Sequence, residues 1–94
     1  MGAQGIAVID FGAHPGLNEK SVVVTGQAAI VAGSMAEAFV MAEATADHTT
    51  GDHTYLPVFI TLTTGDIVAG TGFTIFSRSE HRLQGTFNLK WVWN

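Results

Sequence analysis

Two aspartate–histidine pairs, Asp47-His48 and Asp52-His53, stand five residues apart in one polar stretch. Each joins a carboxylate to an imidazole, a donor set that suits Zn²⁺ or another divalent ion if a loop wraps around it. Specific metal motifs hold their ligands on a rigid element, such as two histidines one helical turn apart, and this spacing does not. Loop aspartates also bond nearby backbone N–H groups on their own account. The expectation is therefore a polar loop from Thr45 to Thr54 in which each Asp anchors its own turn, with no metal and no cofactor. His14, in a Pro-Gly turn, and His81, in a charged stretch, are expected at the surface. Ser21, Ser34, Ser77 and Ser79 lack the Gly-x-Ser-x-Gly elbow that presents a nucleophile. Nothing in the spacing of Glu37, Glu43 and Glu80 selects an acid and a base for glycoside cleavage. Gly70-Thr71-Gly72 lacks the lysine and following helix of a phosphate loop and reads as a tight turn or bulge. No enzyme is expected.

Tyr55, Trp91 and Trp93 would make a platform for stacking sugars if they shared an open face. Trp91 and Trp93 fall in phase with Phe87 and Leu89, while Thr86, Asn88 and Lys90 fall in the opposite phase. A strand repeats its side-chain direction every two residues, so the C-terminal run has one apolar and one wet face. The tryptophans are accordingly core or subunit-interface residues.

The rest of the chain reads as further short strands. Ile6 to Phe11 is an apolar run that ends in the turn Gly12 to Gly16, where Pro15 fixes its own φ and extends His14. Ser21 to Thr25 is β-branched, Ala28 to Ala32 reads as another strand, and Gly33-Ser34 as a turn. Met35 to Ala44 contains good helix formers, yet its alternation of Met35, Glu37, Phe39 and Met41 with Ala36, Ala38, Val40 and Ala42 suits a strand, with a helix as the alternative. Tyr55 to Thr63, Ile67-Val68, Phe73 to Ser77 and Leu83 to Trp93 complete the set, with turns at Thr64 to Asp66 and Gly70 to Gly72 and a charged connection from Arg78 to Arg82. Seven or eight short strands spaced about ten residues apart predict an all-β fold, a small antiparallel β-sandwich of jelly-roll or Greek-key type, in one domain spanning residues 1–94.

Composition narrows the partners. The chain has 94 residues, 47 % apolar and 13 % charged, against the usual quarter charged, which suggests an exterior covered by other protein. A net charge of −4 and the absence of a basic stripe argue against nucleic acid. There is no cysteine for disulfides or thiolate chemistry. No signal peptide, myristoylation motif or membrane-length apolar stretch is found, so synthesis in the cytoplasm and no membrane partner are expected.

Several segments together resemble short structural proteins of tailed bacteriophages and prophages. These are Asp10-Phe11-Gly12-Ala13 with Pro15-Gly16, Val24-Thr25-Gly26-Gln27, Ala36-Glu37-Ala38-Phe39, the Asp47-His48 to Tyr55 loop, Gly70 to Ile75, Gly85-Thr86-Phe87 and Trp91-Val92-Trp93. The resemblance implies a virion component and brings no catalytic residues. With the residue reading, it leads to the expectation of a capsid decoration or cement protein that bridges capsid subunits, binds the major capsid protein or other virion proteins, and is itself a homo-oligomer, with a trimer as first arrangement. The alternatives are a tail or fibre component, and a receptor- or carbohydrate-binding β-module. Contacts are expected at Met35, Phe39, Met41, Tyr55, Trp91 and Trp93.

Overall fold

The computed structural model describes residues 2–13, 15–40, 45, 48, 50, 51 and 60–94. Its regular elements are strands: β1 (Ala3–Asp10), β2 (Leu17–Val24), β3 (Ala36–Val40), β4 (Ile60–Val68), β5 (Gly72–Leu83) and β6 (Thr86–Trp93). They form two antiparallel three-stranded sheets, sheet A in the order β1-β6-β3 and sheet B in the order β2-β5-β4. The all-β expectation holds, with six strands among the described residues instead of seven or eight.

There are three local differences, of which the first and the last change the count. Ala28 to Ala32 is not a strand. Ile30 is buried there while the adjacent Val31 is 58 % exposed, and the backbone folds into turns through Ile30 N–H to Gln27 O (3.2 Å) and Ser34 N–H to Val31 O (2.9 Å). Arg78 to Arg82 is not a connection but part of β5, because Ser77 and Ser79 point inward and keep the alternation while the charges point out. The reversal falls one step later, at Gln84-Gly85, where Gly85 takes a φ of 77° that a side chain would strain. Finally, Thr64 to Asp66 does not turn. β4 runs through it to Val68 with a shift of register between Gly65 and Val68, and an irregularity of this kind bends a strand without ending it. Met35 to Ala44 contains β3, with Ala36, Ala38 and Val40 half-buried and Glu37 and Phe39 exposed; residues 41–44 lie outside the described ones.

One apolar cluster joins the inner faces of both sheets. Ile9, Phe87, Leu89, Trp91 and Trp93 come from sheet A, and Val24, Ile60, Phe73, Ile75 and Leu83 from sheet B. Phe11 and Ile30 enter from connections and are also buried. Phe73 meets Trp91 edge-on with ring centroids 5.7 Å apart, and Phe11 meets Phe87 at 6.0 Å. Each large side chain buried this way stabilises the fold by about 1.5–3 kcal/mol.

Residue size is matched across sheet A. Central β6 carries Leu89, Trp91 and Trp93, and its neighbours answer with small residues: Ala7 faces Leu89, Gly5 and Ala38 face Trp91, and Ala3 and Ala36 face Trp93. At Gly5 a Cβ would run into the Trp91 indole, so the ring lies directly over the β1 backbone. Beside the two tryptophans the inner space is thus filled from β6, while Ile9 and Val40 contribute inward farther along the sheet and Ile6, Val8 and Phe39 point to the outer side.

Candidate functional site

That arrangement leaves an apolar group on the outer side of sheet A. On the outer face of sheet A, Ile6 and Val8 of β1, Phe39 of β3 and Val92 of β6 are 58, 52, 47 and 38 % exposed. The register makes them neighbours: Ile6 and Phe39 flank Lys90, Val8 lies opposite Asn88, and Val92 sits between Gln4 and Glu37. Adjacent strands are about 4.8 Å apart, so three strands give a patch about 10 Å across. Lys90 is half-buried between its apolar neighbours, where a lysine adds its methylene stem to the greasy surface and keeps its ammonium in water. Met35, 77 % exposed, continues the outward phase of β3 beyond the strand's start, held by paired backbone bonds with Asn94 at 2.9 and 2.8 Å.

Of the expected contact residues, the structure brings Met35 and Phe39 to this surface and not Trp91 and Trp93. The two tryptophans are 7 and 4 % exposed, inside the chain's own core, so they have no area left to offer a partner. Trp93 also donates its Nε1–H to Gln27 Oε1 at 2.9 Å, which satisfies the indole internally. Met41 and Tyr55 lie outside the described residues. Ile6, Val8 and Val92 are additions. Their signal in the sequence is the small residues at 3, 5 and 7 alternating with large ones, a strand whose bulk points away from the core.

The aspartate–histidine stretch is described at His48 alone of its four residues. The His48 ring stacks on Phe87 with centroids 3.8 Å apart and planes 15° apart, and its Nε2 lies 2.5 Å from Gln84 O. A carbonyl oxygen only accepts, so Nε2 carries the proton and is committed to that bond. Thr45 Oγ1 donates to Thr86 O at 2.8 Å and accepts from His48 N–H at 3.1 Å. These contacts fasten residues 45 and 48 to the β5–β6 turn and over one end of the core. Among the described residues no three His, Cys, Asp or Glu side chains gather to hold a metal, and no helix is long and apolar enough to cross a membrane. Asp47, Asp52, His53 and His14 lie outside the described residues; His81 is exposed, its N–H bonded to Ser79 Oγ at 3.1 Å.

Buried polar groups are few and paired. Ser77 Oγ donates to Lys20 O at 2.6 Å, and Ser79 O accepts from Asn18 Nδ2 at 3.4 Å. No buried side-chain nitrogen or oxygen among the described residues lacks a partner. Among the described residues the inner space is filled by apolar packing. No family model matches this chain, and searches of curated proteins and of solved structures give no significant match.

Proposed function

We propose that this chain is a non-enzymatic structural protein of a tailed-bacteriophage virion, a capsid decoration protein built as a small β-sandwich. It docks on the major capsid protein through the outer face of sheet A and acts as a homo-oligomer, the trimer being the first arrangement to test. The observation that carries the reading is the group Ile6, Val8, Phe39 and Val92, left in water on a sheet whose other face contributes to the core. Apolar side chains gathered on one face mark protein contacts more often than chance. Among the described strands β1 and β3 border sheet A and β2 and β4 border sheet B, and closed rotational symmetry or a host lattice would cover edges of this kind. A protein that binds assembled shell and not free subunits adds its binding free energy to shell stability by linkage.

Purified particles from a phage carrying the gene test this directly. Mass spectrometry should find the chain at a constant ratio to the major capsid protein, and heads lacking the gene should lose their genome at lower temperature. A chain found only in tails places it in the tail or fibre, and a chain absent from particles ends the virion reading.

A further inference from the structure

The outer face of sheet B differs in character. It holds an open trough of about 690 Å³, whose floor is two rows of side chains crossing three strands: Ser21, Phe76 and Thr63 in one, Glu19, Arg78 and Thr61 in the other. Strand spacing and the two-residue repeat make this grid about 10 Å by 7 Å. Phe76 is 38 % exposed at its centre. The neighbouring Gly65 has no side chain, and a Cβ there would stand 3.8 Å from the Phe76 ring, so β4 leaves that ring uncovered at this point. Beside the ring, Arg78 Nε donates to Glu19 Oε1 at 2.9 Å, with side chains 78 and 64 % exposed. That bond uses one of the guanidinium donors and one carboxylate oxygen, and the rest remain for a ligand.

We infer that this trough is a saccharide-binding site, with the C–H face of a sugar ring on Phe76 and its hydroxyls on Arg78, Glu19 and the flanking Ser21, Thr61 and Thr63. The lining selects this class. A phosphate or sulfate wants donors alone and would meet the Glu19 carboxylate. An apolar ligand would desolvate the ion pair without replacing its water. An added peptide strand needs unpaired backbone, whereas β5 is central and laddered on both sides. Sugar hydroxyls donate and accept at once, which matches alternating donors and acceptors around one aromatic ring. The inference uses no residue of sheet A and stands apart from the virion reading.

The test is binding of the purified chain to an array of bacterial O-antigen chains, peptidoglycan fragments and neutral hexose oligomers, with the strongest binder titrated by calorimetry. Saturable binding is expected, weakened about tenfold or more by Phe76→Leu, which keeps an apolar strand residue without the ring, and by Arg78→Gln. Ile6→Thr, on the other sheet, should leave it unchanged. Amide shift mapping should centre on residues 76–78, and circular dichroism checks that each variant is folded. Binding to no glycan, equal binding by both trough variants, or displacement by an equal concentration of inorganic phosphate would overturn the assignment.

Discussion

Replacing Ile6 and Phe39 together by threonine separates the interface role of sheet A from its role in folding. Both side chains flank Lys90 on the outer face, at 58 and 47 % exposure, so roughly half of each is still available for burial by a partner. Complete burial of such a side chain contributes about 1.5–3 kcal/mol, and the half still open therefore about 0.8–1.5 kcal/mol per residue. The double variant should lose about 1.5–3 kcal/mol of association energy, or about 10- to 100-fold in affinity. Folding should scarcely respond, because surface substitutions usually fall within about 0.5 kcal/mol and threonine keeps the strand preference. The assay is co-sedimentation of labelled protein with purified shells, alongside urea unfolding of the free chain. Affinity lost at unchanged stability is the expected pattern. Unaltered affinity would refute the assignment of this face, and a matching fall in stability would mean that the two side chains serve the fold.

Further outcomes concern the core and its closures. Leu89→Ala, at a fully buried position, should cost about 3–5 kcal/mol in urea unfolding; a cost below 1 kcal/mol would mean that the sheets are not packed on each other there. Gly5→Val places branched carbon where the Trp91 indole lies and should destabilise by about 1–3 kcal/mol, with changed tryptophan fluorescence; a neutral result would remove the ring from β1. Gln27→Leu and Trp93→Phe should each cost about 1–3 kcal/mol, and the double variant clearly less than their sum, since both break the same part-buried bond; strict additivity would deny the pairing. His48→Ala should lower stability by about 1–2 kcal/mol through loss of the Phe87 stack and the Gln84 bond, and an unchanged melting temperature would show that the clamp is not formed.

Sequence periodicity conveyed the fold wherever one strand face was strongly apolar. Phe87, Leu89, Trp91 and Trp93 alternate in sequence and all point inward. It failed where inward residues were polar or where a turn was short of large side chains. Ser77 and Ser79 point inward with their hydroxyls bonded to backbone, and nothing local distinguishes that from a loop serine, so periodicity alone ends β5 several residues early. Ile30-Val31 looks like a strand centre, and only the turn bonds show that Ile30 is a buried plug with Val31 left outside. The surfaces were less legible than the core. Large aromatics suggest interfaces by type, but whether Trp91 faces in or out depends on Gly5 and Ala38 lying opposite it, a fact of register. The trough on sheet B depends likewise on Thr61 and Glu19 meeting across Arg78, far apart in sequence and joined by pairing alone.

The most direct measurement is a cryo-electron microscopy reconstruction of particles that carry this gene, at a resolution that traces strands. The expected result is this chain on the head, with Ile6, Phe39 and Val92 pressed against the major capsid protein and the Phe76 face turned to solvent. An assembled particle in which the outer face of sheet A lies in open solvent, or that lacks the chain, would contradict it.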